Sequence, residues 1–167
     1  MVQLAIQRYG AGLSLYAQRM ADRRHADDIV QEVFLRLCRA DRADVEPILA
    51  QWLYTVCRNL AIDARRRSSR MQTIDLPPSL NGHTNDDPAV RVEQRDSQSR
   101  ALDLMQHLPA NQQEALRLKF QHSLTYKEIA AVMGESESNV GWLIHAGLKT
   151  LRMQMTHPLS PAGRGQG

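Results

Sequence analysis

The sequence predicts an all-α protein made of two small helical domains joined by a flexible linker, the second domain containing a helix-turn-helix. After Gly12 there is no glycine until Gly82, and Pro47 is the only proline before Pro77, so a long stretch lacks residues that end helices. Apolar residues recur at helical spacing on either side of this linker. The linker itself, residues 75–88, is polar and rich in turn residues.

Composition argues against a membrane-spanning, an exported or a disulfide-rich protein. The chain has 167 residues, 43% hydrophobic and 23% charged, which is enough for one domain or two small ones. No apolar run is long enough to span a membrane, and the start lacks the basic and apolar segments of an export signal, so a cytoplasmic protein is expected. Two cysteines form neither a disulfide framework nor a metal-binding pair, and no metal or cofactor is predicted.

Charge is unevenly placed along the predicted domains. We divide the chain into a first domain (1–67), a linker with a lead-in helix (68–100), a second domain (101–156) and a disordered tail (157–167). The first domain has eleven arginines against eight acidic residues, whereas the second has five basic and five acidic residues. A net charge of +3 is too small to establish a nucleic-acid partner, but much of the excess lies at Arg65, Arg66 and Arg67.

The first clear helix of the first domain is predicted from Asp27 to Arg39, with acids in its first turn where the helix dipole favours them. One face is apolar: Ile29, Val30, Val33, Phe34 and Leu37. A second face at helical spacing carries Asp28, Gln31, Glu32 and Leu35. This second face is either solvated or a docking surface for a basic partner. His25 beside these acids lacks convergent ligands elsewhere, so no metal site is predicted.

The second long helix is predicted from Ile48 to Arg67, with Pro47 near its first turn. Its predicted buried stripe is Ile48, Leu49, Trp52, Leu53, Val56 and Leu60. The opposite side holds an aromatic residue, an asparagine and arginines, a combination that suits phosphates and unstacked bases. The terminal arginines also complement the helix dipole, so a purely structural role stays open for one or two of them. The two cysteines, Cys38 and Cys57, are expected to be packed.

The second domain carries a helix-turn-helix pattern between Leu124 and Arg152. A short helix is predicted to begin near Tyr126, Gly134 supplies the turn, and Ser136 is placed to cap the next helix. The inner faces are apolar: Ile129, Val132, Met133, Val140, Leu143, Ile144, Leu148 and Leu151. A packing helix is predicted ahead of the motif, within residues 108–120. Helical hairpins that bind no DNA share this pattern, so it predicts the fold and not the ligand.

Four segments in this order resemble the extracytoplasmic-function (ECF) family of bacterial RNA polymerase sigma factors. The segments are Ala26 to Leu37, Trp52 to Asp63, Leu108 to Glu114 and Leu124 to Ala130. The resemblance spans residues 9–155 with separations typical of the family. It implies a non-enzymatic sigma factor that binds core RNA polymerase and directs promoter-specific transcription initiation.

The resemblance also implies roles for particular residues. The polymerase clamp helices would contact Asp28, Gln31, Glu32 and Leu35. The minus-ten promoter element would be read and melted by Tyr54, Arg58, Asn59, Asp63, Arg65, Arg66 and Arg67, since captured bases need polar groups and the backbone needs cations. The helix-turn-helix would enter the major groove of the minus-thirty-five element. Seven of its residues would contact the DNA there: Tyr126, Lys127, Ser138, Asn139, Trp142, His145 and Lys149. The expected partners are core polymerase, promoter DNA and an anti-sigma protein.

The recognition helix departs from the family pattern. Members commonly carry basic residues early in this helix, where the present chain has Gly141, Trp142 and Leu143. Because phosphate neutralisation drives much of DNA affinity, the neutral second domain is expected to bind DNA weakly by itself. Trp142 either contacts DNA or packs against a neighbour, and exposure is slightly favoured.

Two other functions stay open from the sequence. A stand-alone helix-turn-helix regulator would bind its operator tightly without polymerase, which the neutral second domain disfavours. An adaptor that keeps the polymerase-docking surface but has lost promoter recognition would fit the weakly charged recognition helix. An enzyme is not expected, because no nucleophile–base pair, phosphate-binding loop or metal cluster is apparent.

Overall fold

The computed structural model describes residues 1–72 and 100–156, which form helices and the turns between them, with no strand in these ranges. We call residues 1–72 the N-terminal half and residues 100–156 the C-terminal half. The helices are α1 (Val2–Met20), α2 (Arg23–Arg39), α3 (Arg42–Val45), a 3-10 turn (Glu46–Ile48), α4 (Leu49–Gln72), α5 (Ala110–Phe120), α6 (Tyr126–Met133) and α7 (Glu137–Thr156). Residues 100–105 are also helical. The all-α class is confirmed.

The N-terminal half is a bundle in which α1, α2 and α4 each contact the other two. Its core is apolar and buried: Leu13, Ala17, Ala26, Ile29, Val33, Leu37, Val45, Leu53, Cys57 and Ala61. The predicted apolar stripe of α2 faces this core. The helix begins four residues earlier than predicted, at Arg23, so the acids of the predicted first turn lie in its second turn.

The C-terminal half contains the predicted helix-turn-helix. Thr125 begins α6 with a capping box, since its hydroxyl accepts the Glu128 N–H and the Glu128 carboxylate accepts the Thr125 N–H. Gly134 ends the helix with φ +70°, a left-handed conformation that favours glycine. Ser136 then accepts the Asn139 N–H at the start of α7. Thr125, Gly134 and Ser136 thus set the ends of α6 and the start of α7. Helix α7 then packs against α5 and α6.

Gly147 explains how closely α5 and α7 approach. A Cβ at this position would lie 2.9 Å from Leu116 Cδ1, inside any normal contact distance. The absence of a side chain therefore lets α7 pack directly on α5. Around this contact the core is completed by Leu118, Leu124, Ile129, Val132, Val140, Leu143 and Ile144.

The two halves pack against each other rather than standing apart. Helix α4 contacts α6, and one cluster of buried residues runs through both halves. The predicted boundary after Arg67 falls inside α4, which continues to Gln72. The predicted linker, residues 75–88, and the predicted tail, residues 157–167, lie outside the described residues. The interface between the halves, which the sequence did not predict, decides which side chains are accessible.

Candidate functional site

The C-terminal part of α4 carries most of the residues predicted to meet the minus-ten element. We call Tyr54, Arg58, Asn59, Asp63 and Arg65–Arg67 the minus-ten set. Asn59, Asp63 and the three arginines are exposed on the helix surface. The helix therefore presents five of these seven residues to solvent, and it holds the other two, Tyr54 and Arg58, in contact with the C-terminal half.

Arg58 is bound by an acidic residue of the C-terminal half. Its Nε donates to Glu114 Oε1 over 2.7 Å, and Nη2 lies 3.4 Å from Oε2. The two side chains are only 23% and 9% exposed. Tyr16 Oη of α1 donates to the same Glu114 oxygen over 2.6 Å. The carboxylate is thus held by a cation and a phenol from two helices of the N-terminal half.

Tyr54 is also engaged across the interface. It is 2% exposed, and its hydroxyl lies 2.9 Å from His122 Nδ1. Rings of Tyr16, Tyr54 and His122 contact one another, with Tyr16 meeting Tyr54 edge to face at 5.4 Å. Tyr16 of the N-terminal half and His122 of the C-terminal half together cover the Tyr54 ring, so Tyr54 is not accessible in this arrangement, and its role as a DNA contact stays a prediction.

Gly12 of α1 makes room for this contact. A Cβ on Gly12 would lie 2.7 Å from Tyr54 Oη and 3.3 Å from His122 Nδ1. Any side chain here would push into the hydrogen bond that joins the halves. The glycine is therefore explained by the close approach of α1, α4 and the turn after α5, and not by backbone conformation.

Burial changes the protonation of these groups. Desolvation lowers the pKa of His122 to about 4, assisted by the nearby charge of Arg117, so the imidazole is neutral at pH 7. Desolvation, followed by the charge of Glu114, raises the pKa of Tyr16 far above its ordinary value. Burial likewise raises the pKa of Tyr54. The interface is thus built from neutral rings around one compensated ion pair.

The predicted polymerase-docking face lies on the outside of α2. Asp28, Gln31 and Leu35 are exposed, with Leu35 at 50%, and Glu32 is half-buried and accepts a hydrogen bond from Arg36 Nε over 2.8 Å. Beside this face, α1 and α2 form an apolar groove of about 480 Å³: Val2, Ile6, Gly10, Ser14, Val30, Gln31, Phe34, Leu35 and Cys38. The face and the groove share Gln31 and Leu35, so acidic and apolar surface are continuous here.

The cysteines differ in environment. Cys57 is buried as predicted, and burial raises the pKa of its thiol to about 12. The prediction that Cys38 is packed is wrong: the structure exposes it at the C-terminal end of α2, where the core contacts of that helix have ended with Leu37.

The residues predicted to meet the minus-thirty-five element lie at the start of α6 and along α7. Trp142 is 61% exposed, in agreement with the favoured alternative, and Tyr126 is 41% exposed. Four others are exposed polar or charged side chains: Lys127, Ser138, His145 and Lys149. Asn139 is half-buried, and its amide donates to Glu135 Oε2 over 2.6 Å, so this side chain is occupied at the helix start.

Sequence reasoning missed three residues of the interface: Tyr16, Glu114 and His122. Glu114 ends the segment from Leu108 that resembles the sigma-factor family, but no role was predicted for it. Their partners are 56 to 98 positions away in the chain. No local periodicity reports such contacts. Tyr16 and Glu114 lie on helices and His122 lies in the turn that follows α5.

Within residues 1–72 and 100–156, no group of three or more histidine, cysteine or acidic side chains is arranged to hold a metal ion. Among the same residues, no helix is both long enough and apolar enough to cross a membrane.

Comparison with known proteins identifies both halves. The family model described as Sigma-70 region 2 matches residues 5–71, and the one described as Sigma-70, region 4 matches residues 98–151. The ECF RNA polymerase sigma factor SigM of Bacillus subtilis is 36% identical over 124 residues, covering 71% of this chain and 72% of SigM. SigE of Mycolicibacterium smegmatis is 31% identical over 140 residues, covering 81% of this chain and 54% of SigE.

Solved structures show the same fold. The sigma factor RpoE from Bartonella quintana, in complex with the anti-sigma factor NepR, is similar with a TM-score of 0.64 at 18% identity, covering 93% of this chain and 96% of that one. CnrH, in complex with the cytosolic domain of CnrY, has a TM-score of 0.59 at 21% identity, covering 93% and 87% of the two chains. With both sigma-70 regions matched in order, the chain belongs to the ECF family of RNA polymerase sigma factors and acts with core polymerase in transcription initiation.

Proposed function

We propose that the described arrangement is a closed state of the sigma factor and that promoter recognition requires the halves to separate. Arg58 and Tyr54 belong to the minus-ten set, yet both are engaged by the C-terminal half. A cation already bound to a carboxylate at 2.7 Å offers little to a DNA phosphate. The single observation that carries the proposal is this use of predicted DNA contacts inside the protein.

In the open state, the minus-ten set would contact the melted strand, and α7 with the start of α6 would enter the major groove of the minus-thirty-five element. The exposed Trp142 supports a role at the recognition surface. The neutral charge of residues 101–156 supports weak DNA affinity outside the polymerase complex, because few phosphates would be neutralised. A stand-alone DNA-binding regulator is not favoured for the same reason.

The docking face would bind the clamp helices of polymerase through Asp28, Gln31, Glu32 and Leu35, with the adjoining groove taking an apolar side chain of the partner. The protein would act in the cytoplasm, where polymerase and DNA are found, and would perform no chemistry of its own. An anti-sigma protein is the expected inhibitor, since RpoE of Bartonella quintana was solved with one. Such a partner would act by preserving the closed state.

The test is promoter-dependent transcription with purified core polymerase. Arg65 and Arg66 are exposed side chains of α4 and lie away from the docking face on α2, so replacing both with Ala should spare polymerase binding while reducing open-complex formation, measured by permanganate reactivity of unpaired thymines. The matched control replaces Arg8 and Arg39, two exposed arginines of the same half, with Ala. Unchanged open-complex formation by the Arg65–Arg66 variant, or a loss explained entirely by weaker polymerase binding, would contradict the assignment of Arg65 and Arg66.

A further inference from the structure

A cavity of about 360 Å³ lies where the two halves meet, and its charges are unbalanced. Four arginines and two glutamates line it, which leaves a formal excess of two positive charges. Its charged lining residues are Arg19, Arg58, Arg65, Glu114, Arg117 and Glu135. Cations gathered in an enclosed space repel each other unless an anion lies among them.

Arg117 of α5 is the most unusual of these residues. It is only 8% exposed, and its Nε is buried with no hydrogen-bond partner. Among residues 1–72 and 100–156, no carboxylate lies within ion-pair distance of its guanidinium. Burial, with the nearby charge of Arg19, lowers the pKa of Arg117 to about 10. A buried cation without a partner is costly, so the lining of this cavity is incomplete by itself.

The acidic residues of the cavity do not supply the missing partner. Glu114 is already bound by Arg58 and Tyr16, at 2.7 Å and 2.6 Å. Glu135 accepts the amide of Asn139 and forms no ion pair with an arginine of the described residues. Arg19, Arg65 and Arg117 are therefore left facing one space, two from the N-terminal half and one from the C-terminal half.

A helix N-terminus adds to this positive field. The first turn of α5, which includes Ala110, Asn111 and Gln113, also lines the cavity. Pro109 occupies the N-cap position and offers no side-chain cap, and no acidic residue lies in the first turn. Asn111 Oδ1 accepts the Gln112 N–H over 2.9 Å and the Pro109 carbonyl accepts the Gln113 N–H over 3.0 Å, which leaves the N–H groups of Ala110 and Asn111 for an anion. The helix dipole also favours an anion at this end.

We propose that this cavity is a binding site for a small phosphorylated anion, held by Arg117 and Arg19 with Arg65 and the N-terminus of α5. A phosphate dianion matches the two excess positive charges, and guanidinium groups bind phosphate oxygens through paired hydrogen bonds. The anion would bridge the two halves and so stabilise the closed state by its binding free energy. Anion binding itself does not rest on promoter recognition, because all the residues named are present in the free chain, whereas its effect on the closed state rests on the proposed function.

The test measures phosphate binding by the full chain in the absence of polymerase and DNA. Inorganic phosphate and pyrophosphate are titrated by calorimetry at constant ionic strength, with chloride as the reference anion. Saturable binding is expected. Arg117→Gln should weaken the affinity about ten- to hundredfold, because one or two charge-assisted hydrogen bonds are lost. Arg19→Gln, which changes a surface residue and leaves the core untouched, should weaken it in the same direction.

Matched controls are Arg39→Gln and Arg152→Gln, one exposed arginine in each half outside the cavity, and both should bind phosphate as the parent chain does. Equal binding by Arg117→Gln, Arg19→Gln and the parent would overturn the proposal, as would no binding above the chloride reference. A third arm titrates a single-stranded oligonucleotide. If it binds in an Arg117-dependent way while inorganic phosphate does not bind, the cavity serves the DNA backbone and the small-anion assignment fails.

Discussion

Arg58 of α4 and Glu114 of α5 form an ion pair that joins the two halves, with Nε 2.7 Å from Oε1 and a third group, Tyr16 Oη, on the same oxygen. One partner belongs to the set predicted to contact melted DNA. The other lies within α5, the helix that packs beneath the helix-turn-helix. The pair therefore connects the arrangement of the halves to the availability of a cation predicted to bind DNA.

Glu114→Gln should loosen the interface. The change leaves Arg58 half-buried without an anionic partner, at a cost of about 1–3 kcal/mol after allowance for the partial exposure of the arginine. We expect a lower urea midpoint and a larger radius of gyration by small-angle X-ray scattering. Glu137→Gln removes the same charge from an exposed site in α7 and should change neither quantity. An unchanged radius for Glu114→Gln would mean that the ion pair does not hold the halves.

Two glycines of α1 give a matched pair of substitutions with opposite expected signs. Gly10→Ala meets only Ile6 Cγ2 at 3.9 Å and should raise stability by about 0.5–1 kcal/mol, the usual gain within a helix. Gly12→Ala brings its methyl to 2.7 Å from Tyr54 Oη and should lower stability by about 1–2 kcal/mol, because the Tyr54–His122 bond is broken. Thermal unfolding checks both. If the thermal unfolding midpoints of the two variants shift in the same direction by similar amounts, the close approach at Gly12 is contradicted.

The interface should weaken in acid through His122. Its pKa is about 4 in the closed state, against 6.5 for an ordinary histidine, so separated halves bind more protons between these values. The contribution of His122 is therefore complete above pH 6.5 and is lost as pH falls toward 4. Scattering profiles recorded from pH 8 to pH 5 measure the opening.

His122→Asn keeps an acceptor for the Tyr54 hydroxyl but does not titrate in this range. Its radius of gyration should stay constant over the same pH range. A parent chain that stays closed at pH 5, or a variant that opens as the parent does, would show that His122 is not the group responsible.

The docking face should tolerate charge reversal without unfolding. Asp28→Lys with Glu32→Lys breaks only the exposed Glu32–Arg36 pair, worth about 0.3–0.5 kcal/mol. Affinity for core polymerase should fall about a hundredfold, because two favourable charges become repulsive. Asp44→Lys with Asp103→Lys changes the net charge equally at exposed sites elsewhere. Equal affinities for the two double variants would remove the docking assignment.

Trp142 is suited to a test of the recognition helix because it is 61% exposed. Trp142→Ala should leave the free energy of unfolding within about 0.5 kcal/mol of the parent value. Transcription from a promoter that depends on its minus-thirty-five element should fall several-fold in a run-off assay. Phe120→Ala, another aromatic residue with 62% exposure in the same half, is the control and should transcribe normally.

The helix-turn-helix was predictable because its signals are local. Thr125, Gly134 and Ser136 each act on backbone groups within a few residues, so their meaning does not depend on distant parts of the chain. The exposed face of α2 was predictable for a similar reason, since its apolar stripe has a single period. Its role in docking stays a prediction.

The surroundings of α4 were harder to predict because this helix is packed on two sides. Leu53 faces the N-terminal core as predicted, but Ile48 is 41% exposed, and Tyr54 on the side predicted to be open is buried by His122. A single apolar stripe predicts one buried face, whereas α4 is buried on two sides. The second side is covered by residues beyond position 100, and the spacing of residues within α4 does not indicate that contact.

The Arg58–Glu114 contact has a quantitative consequence for affinity measurements. Under the proposed function, Glu114 competes with a DNA phosphate for the Arg58 guanidinium, and only open molecules bind promoter with their intrinsic affinity. The apparent dissociation constant equals the intrinsic one divided by the open fraction, and a closed state favoured by about 2.8 kcal/mol raises it about a hundredfold. A modest apparent affinity for a promoter is thus compatible with a high intrinsic affinity of the open state for the same promoter.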